Sequence, residues 1–417
     1  MTSLRTFPRP LRGAVGVATL ACALLGAMQN ENAAAQVASP QLVERGRYLA
    51  RAGDCISCHT AKGGAAYAGG LRMDTPFGAL FAPNITPDVE TGIGAWSANE
   101  FYRAMHEGTN KRGQDMYPAM PYTFFTKVTR EDCDAIYTYL RTVKPVRNAV
   151  DVNQLHWPFD MRWTMATWRE LYFTSGTWSP DPLQSSAWNR GAYLIEGLGH
   201  CSACHSPRNA LGAIEKNKAF TGANIDGWFA LNLTENLNTG LGEWEPAQIV
   251  AYLKTGAAKT QSTTLGPMAE VVHNSLAYLT DADLQAMATY LKTLPANSGL
   301  RTPWGEPDPT KKRGGALYTD HCSGCHQARG GGIIGVFPPL ASNGVVVAPD
   351  PANVIKVVLQ GIPARNRYVA MPSFAGQLTD QQIADLANYV RTSWGNVAPP
   401  NATPAMVAKL RGNGKGK

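Results

Sequence analysis

The sequence contains three copies of one pattern: Cys55-Ile-Ser-Cys58-His59, Cys201-Ser-Ala-Cys204-His205 and Cys322-Ser-Gly-Cys325-His326. Two thiols three positions apart can add to the two vinyl groups of one haem, while the adjacent histidine reaches its iron. Zinc would need a fourth protein ligand at each cluster, and a redox-active dithiol needs a thioredoxin-like βαβ context. The pattern therefore predicts three covalently bound haem c groups, with His59, His205 and His326 as iron ligands.

Each motif is followed by a methionine beside proline or glycine. Met120 lies in Tyr-Pro-Ala-Met-Pro-Tyr, Met268 in Gly-Pro-Met and Met371 in Tyr-Val-Ala-Met-Pro. A thioether opposite histidine raises the reduction potential and closes the iron to small ligands, which suits an electron carrier. We predict these three methionines as the sixth ligands. Met105 and Met116 remain alternatives in the first segment, and Met287 is expected to pack inside a helix.

Two helices recur around each motif. The later helix begins at Thr129, Thr280 or Thr379 in a capping-box pattern and carries an apolar stripe at helical spacing. The earlier helix contains Gly46, Gly191 or Gly315, where a glycine permits a close helix crossing. The repeat predicts an all-α fold of three tandem class I cytochrome c-like domains with long loops. A loop carbonyl near Phe337-Pro338-Pro339 is expected to accept the other N–H of the iron-bound histidine.

The chain of 417 residues has room for about three domains of roughly 100 to 150 residues. Arginines, an apolar stretch from Gly13 to Met28 and the run ending at Ala35 resemble a signal peptide, although a retained anchor helix is an alternative. We predict the following organisation: signal peptide 1–35, cytochrome c domain 36–145, Trp-rich linker 146–187, cytochrome c domain 188–296, Pro-rich linker 297–312, cytochrome c domain 313–396 and basic tail 397–417.

Charge and hydropathy limit the partners. The formal charge of +7 falls by two without the predicted signal peptide, and the propionates of three haems would add about six negative charges that offset the rest. The basic balance therefore gives no reason to expect nucleic-acid binding. No stretch after the signal reaches the ~18 apolar residues of a spanning helix, so we expect peripheral contact with the membrane. One helical face with Met165 and Trp168 is expected to pack between domains or to serve as a docking surface.

The chain resembles the three-haem cytochrome c subunits of bacterial membrane-bound dehydrogenases, namely the quinoprotein alcohol dehydrogenases and the flavin-dependent gluconate, fructose and glucose dehydrogenases. Matching stretches are 46–55, 67–70, 84–88, 117–122, 188–193 and 199–201. The resemblance implies a location at the periplasmic face of the bacterial cytoplasmic membrane. It also implies a separate FAD or PQQ catalytic subunit that oxidises an alcohol, sugar or sugar acid, and electron delivery to ubiquinone.

Two other functions deserve comparison. A haem peroxidase needs an open sixth site on one iron, whereas a methionine follows every motif here. An alternative partner is a molybdenum hydroxylase or an aldehyde dehydrogenase, because related cytochromes serve those enzymes. No dinucleotide-binding glycine fingerprint occurs, so we do not expect this chain to be catalytic alone.

Overall fold

A computed structural model describes residues 39–258, 262–296, 311–364 and 368–412. From Gln41 onward the described residues form one compact unit. The predicted signal peptide, most of the Pro-rich linker and the last five residues of the predicted tail lie outside the described ranges. Within those ranges, no helix is both long enough and apolar enough to span a membrane.

Residues 40–172, which comprise the first segment (residues 40–145) and the start of the Trp-rich linker, form six helices and a three-stranded antiparallel sheet of order β1-β2-β3. The elements are α1 (Pro40–Ala52), α2 (Cys55–Cys58), β1 (Arg72–Thr75), β2 (Gly78–Phe81), α3 (Ala98–His106), α4 (Tyr122–Phe125), α5 (Arg130–Leu140), β3 (Asn153–Leu155) and α6 (Trp163–Tyr172). The third strand comes from the predicted Trp-rich linker and covers the free edge of the β1–β2 hairpin.

The second segment repeats this order with two short hairpins. Its elements are α7 (Ser186–Tyr193), a π-helical turn (Leu194–Leu198), α8 (Ser202–His205), a 3-10 turn (Lys216–Lys218), β4 (Ala223–Ile225), β5 (Trp228–Ala230), α9 (Pro246–Thr255), β6 (Ala257–Ala258), β7 (Ser262–Thr263), α10 (Gly266–Asn274), a second 3-10 turn (Leu276–Tyr278) and α11 (Asp281–Leu291). The third segment contains α12 (Lys311–His321), α13 (Ser323–His326), α14 (Gly344–Val347), α15 (Ala352–Gln360), α16 (Asp380–Thr392) and α17 (Pro404–Gly412).

The all-α prediction is correct in that helices predominate, but it is wrong in excluding strands. The long loops after the first two motifs fold back as antiparallel hairpins, which pair backbone groups that would otherwise need partners beside an apolar core. In the second hairpin, Asp226 and Gly227 both have positive φ, the geometry of a two-residue turn that matches strand twist. Short hairpins of this kind have too few residues to show a clear period of two in the sequence.

The predicted helix starts are confirmed. Thr129, Thr280 and Thr379 each accept a backbone N–H three residues later through the side-chain hydroxyl. The glycine crossing is also confirmed at Gly46 and Gly191, where a Cβ atom would lie 1.9 and 2.0 Å from a backbone oxygen of the partner helix.

In the third segment the predicted crossing residue, Gly315, is wrong by one position. A Cβ at Gly314 would lie 2.3 Å from the Asp385 backbone oxygen, whereas one at Gly315 would meet only the edge of the Tyr389 ring at 3.1 Å. One residue along a helix rotates the side-chain direction by about 100°, so Gly315 faces the Tyr389 ring rather than the backbone of α16.

The described segments share their hydrophobic cores unequally. The first and second segments contribute to one core, which includes Leu49 and Ile136 from the first and Leu194 and Leu284 from the second. The third segment has its own core around Ile355. Cys133 is fully buried in the shared core, as expected for an unpaired small thiol.

Reciprocal contacts join the first two segments. Tyr48 donates to the Asp283 carboxylate at 2.6 Å, and Tyr193 donates to the Asp132 carboxylate at 2.6 Å. Tyr48 and Tyr193 occupy equivalent positions in the repeat, as do Asp132 and Asp283. Each segment therefore presents the same two groups to the other, as in an interface with two-fold symmetry.

The Trp-rich linker packs between the first two segments. Met165 and Trp168 of α6 are buried, and the Trp168 indole donates to the Leu211 carbonyl at 2.9 Å. Trp157 and Trp163 are 77% and 68% exposed. One side of the linker thus fills the junction while the other carries exposed tryptophans.

The helical part of the predicted basic tail packs on the third core. Val407 of α17 is fully buried, and Arg411 forms an ion pair with Asp380 at 2.8 Å. The description as a tail is wrong over its described residues because apolar positions at helical spacing lie between the basic ones.

Candidate haem sites

Each motif histidine is held in one orientation by a backbone carbonyl. The Nδ1 atoms of His59, His205 and His326 lie 2.7, 2.6 and 3.0 Å from the carbonyl oxygens of Pro83, Leu231 and Pro338. A carbonyl only accepts, so Nδ1 carries the proton and the lone pair of Nε2 is free for a metal. Burial lowers the pKa of all three histidines, which favours the neutral ring that iron requires.

The expected carbonyl partner near Phe337 is confirmed as Pro338, and the two other segments use the equivalent position. In the first two segments a buried asparagine follows this carbonyl. Asn84 accepts the Thr86 N–H at 2.9 Å, and Asn232 accepts the Thr234 N–H at 2.8 Å. These turns fix the peptide that bears the accepting carbonyl. Asn-x-Thr occurs at both places in the sequence, and this repetition is the signal from which the turns could have been predicted.

The motif cysteines lie on single helical turns, where positions i, i+3 and i+4 share one face. No disulfide links the described cysteines. Burial raises the pKa of Cys55 to about 12, and it raises that of Cys58 and of Cys322 to about 11. A redox-active dithiol has a lowered thiol pKa, whereas the pKa values of Cys55, Cys58 and Cys322 are raised. Among the described residues, no group of three or more His, Cys, Asp or Glu side chains is placed to hold a metal ion by itself.

Two of the three predicted methionine ligands share a cavity with their motif. Met371 lines one cavity together with Cys322, Cys325 and His326. Met268 lines another together with Cys201, Cys204 and His205, and it lies in the first turn of α10 rather than in a loop. Met287 also borders this second cavity but is 2% exposed within the shared core.

In the first segment, the choice of methionine ligand depends on which hydrophobic cluster each candidate contacts. Met120 packs against the same core as Cys55, whereas Met116 packs against a separate cluster with Tyr117 and Trp168. Met105 is buried inside α3. The residues present therefore fit a haem with a histidine as one iron ligand. Met120 packs against the core that Cys55 also contacts, so it fits the second ligand position better than Met116.

The cytochrome c family profile matches residues 43–144 and 311–394. The cytochrome c subunit of a quinone-type alcohol dehydrogenase from Komagataeibacter europaeus is 40% identical, with 90% of this chain and 86% of the relative aligned. The gluconate 2-dehydrogenase cytochrome c subunit of Pantoea cypripedii is 38% identical over 93% of both chains. This chain belongs to the cytochrome c subunits of bacterial dehydrogenases. Membership implies covalently bound haem c and an electron-transfer role alongside a catalytic subunit.

A nicotinate dehydrogenase chain from Pseudomonas putida is 42% identical over 90% of this chain. The cytochrome spans only 32% of that relative's length. The similarity therefore covers about a third of a larger protein.

The first two motifs of the cytochrome face one crevice of about 2950 Å³, which is lined by Cys58 as well as by Cys201, Cys204 and His205. The Cys204 thiol is near enough to contribute to the raised pKa of Cys58, after burial and Asp54. Ser57, inside the first motif, accepts from the Asn274 amide of α10 at 2.9 Å. The first motif is thus hydrogen-bonded to α10, the helix whose first turn contains Met268.

Proposed function

We propose that this cytochrome c subunit carries three haems and accepts electrons from a catalytic subunit that oxidises an alcohol, sugar or sugar acid. It would pass them to ubiquinone at the periplasmic face of the cytoplasmic membrane. The histidine-to-carbonyl hydrogen bond, repeated at all three motifs, carries the proposal. Haem c, when bound, supplies a reversible one-electron iron couple.

The chain's own residues then have separate tasks. The six motif cysteines would hold the porphyrin through thioether bonds, and the three histidines would bind iron with ring orientations fixed by their carbonyl partners. Met120, Met268 and Met371 would provide the second protein ligand to each iron, which would keep small ligands away from the irons and would argue against peroxidase chemistry. The apolar cores pack against one cysteine and the predicted methionine of each site.

The number of haems is tested by a pyridine haemochrome assay on the purified full chain, together with haem staining after acid denaturation. We expect three haems per chain. A double Cys322→Ser/Cys325→Ser variant should contain two, which calibrates the assay. A wild-type value of two would contradict the proposal.

The sixth ligand in the first segment is tested by Met120→Ala with Met116→Ala as the matched control. Four residues separate these methionines, but only Met120 packs against the core that contains Cys55. We expect Met120→Ala to remove one methionine-to-iron charge-transfer band and to lower one potential, because the thioether stabilises the reduced iron. The assignment is wrong if Met116→Ala has this effect and Met120→Ala does not.

Names of relatives support the partner class. Quinone-type alcohol dehydrogenase and gluconate 2-dehydrogenase have cytochrome subunits that align over most of their length. The match to the nicotinate dehydrogenase chain favours a second candidate, a dehydrogenase for nitrogen heterocycles such as a molybdenum hydroxylase. Affinity purification from the native host and mass spectrometry of the bound catalytic subunit distinguish the two.

Peripheral membrane contact is proposed through the exposed side of the Trp-rich linker. Trp157, Trp163 and Leu171 are 77%, 68% and 63% exposed, and such side chains favour the bilayer interface. We expect a Trp157→Ser/Trp163→Ser variant to leave washed membranes, while Trp168→Phe, at a buried position, should stay bound. Recovery of the wild-type chain from the periplasm, with quinone reduction by its complex intact, would contradict membrane contact.

A further inference from the structure

In the second segment, the two residues that flank the β4–β5 hairpin both hydrogen-bond His205. The Gly222 N–H donates to the His205 carbonyl at 2.8 Å, and the His205 Nδ1–H donates to the Leu231 carbonyl at 2.6 Å. Strands β4 and β5 lie between these two contacts. The orientation of the hairpin therefore determines where the carbonyl that orients the histidine ring lies.

The outer edge of this hairpin is bound by a side chain from the third segment. Phe229 faces Asn224 at a non-hydrogen-bonded pair, so its N–H and C=O point away from β4. The Asn353 side chain of α15 accepts the Phe229 N–H at 2.8 Å and donates to the Phe229 carbonyl at 2.9 Å. Asn353 is 3% exposed, so these bonds are protected from water.

The turn of the hairpin is bound by the same helix. Lys356 Nζ donates to the Asp226 carbonyl at 2.7 Å and lies 4.7 Å from the centre of the Trp228 ring. The Lys356 side chain is 7% exposed, and an ammonium at such a site is stabilised by the carbonyl and the ring. Helix α15 thus binds the hairpin at its edge and at its turn.

In the first segment, the free edge of the corresponding hairpin is covered by a strand. Its β1–β2 hairpin leads to Pro83, whose carbonyl accepts from His59, and the free edge of that hairpin is covered by β3 of the adjoining linker. In the second segment, Asn353 bonds the equivalent free edge. The repeat thus uses a neighbouring strand in one case and a side chain from a distant segment in the other.

We propose that Asn353 and Lys356 of the third segment are positioning residues for the second haem: by fixing the 222–231 hairpin they fix the Leu231 carbonyl on His205, so that docking of the third segment sets the reduction potential of the second haem. This inference rests on the proposed three-haem function. A strong Nδ1–H···O bond makes the imidazole a better donor and favours the oxidised iron. Weakening it therefore raises the potential.

The test is a spectropotentiometric titration of the full haem-loaded chain. Asn353→Ala removes both bonds to Phe229, and Lys356→Met removes the bond to Asp226 while keeping a side chain over Trp228. For each variant we expect the second haem's reduction equilibrium to shift by up to about tenfold toward the reduced form, equivalent to 59 mV for one electron. A Cys201→Ser/Cys204→Ser variant, which lacks the second haem, identifies its potential by subtraction.

Asn388→Ala is the matched control. Asn388 is also buried, and it also binds one backbone position through both side-chain atoms, with Ala402 as its partner inside the third segment. It should lower the stability of the third core and leave all three potentials unchanged. Three haems with an unchanged second potential in both variants, or an equal shift in Asn388→Ala, would overturn the inference alone. Absence of haem at the second motif of the unmodified chain would overturn the proposed three-haem function as well.

Discussion

Removing one hydroxyl at each reciprocal contact should loosen the junction between the first two segments. The perturbations are Tyr48→Phe and Tyr193→Phe. Each hydroxyl donates to a carboxylate at 2.6 Å, and it also accepts a helix-cap N–H, from Thr280 at 3.2 Å or from Thr129 at 3.3 Å. Phenylalanine keeps the ring contacts and deletes both bonds.

The magnitude follows from burial. A hydrogen bond to a charged group is worth about 1.5–3 kcal/mol, and the buried Tyr193–Asp132 pair should fall near the upper end of that range. The Tyr48–Asp283 pair is more exposed, so we expect about 1–2 kcal/mol there. Arg190 bonds Asp283 and lies over the Tyr193 ring, so the two pairs are coupled, and the loss in the double variant should differ from the sum of the two single losses.

The assay is urea unfolding followed by hydrogen-exchange mass spectrometry, which reports the first two segments separately from the third. Both variants should lower the free energy of unfolding of peptides from 41–296. Tyr318→Phe is the control, because its hydroxyl donates to the Gln327 carbonyl within the third segment. The reasoning is refuted if the Tyr193 variant leaves the shared core unchanged, or if Tyr318→Phe weakens that core equally.

Three further changes test other parts of the fold. Burial raises the pKa of Asp283, but hydrogen bonds from Arg190 and Tyr48 outweigh it and leave the pKa below its ordinary value. The junction should therefore be stable above about pH 4 and weaken as the pH falls through the lowered pKa. Arg190→Met should reduce this acid sensitivity in melting curves. Arg391 is fully buried and donates to backbone carbonyls that include Ala348 at 2.8 Å, so Arg391→Met should destabilise the third core by about 3 kcal/mol or more, measured by exchange in α16. Gly314→Ala should destabilise the same core through its 2.3 Å clash with backbone, whereas Gly315→Ala, whose Cβ would meet only the Tyr389 ring edge at 3.1 Å, should destabilise it less in the same measurement.

Local features of the fold were predictable because their causes are local. The threonine caps depend on residues within one turn, and the spacing of cysteines and histidine depends on one helical turn. The glycine crossing was predictable at Gly46 and Gly191 but failed at Gly315, since two adjacent glycines leave the facing residue undetermined.

Long-range features were not predictable from one sequence. Nothing near Tyr48 indicates that its hydroxyl binds Asp283, because 235 positions separate the two residues. Asn353 lies in an apolar helix, where the sequence suggests only an interrupted stripe. The partner carbonyls of the histidines were foreseen only in part, since a carbonyl is present at every residue and only the folded loop selects one.

The contacts give the second segment a central position. Its first neighbour meets it through reciprocal tyrosines, a shared core and a crevice that both motifs line. Its second neighbour meets it through Asn353 and Lys356, which bind the hairpin that orients His205. The first and second segments share one core, and their motifs line one crevice. The third segment has its own core and contacts the second through polar bonds to one backbone hairpin. In this arrangement the crevice lined by the first two motifs and the polar contact from the third segment both converge on the second segment.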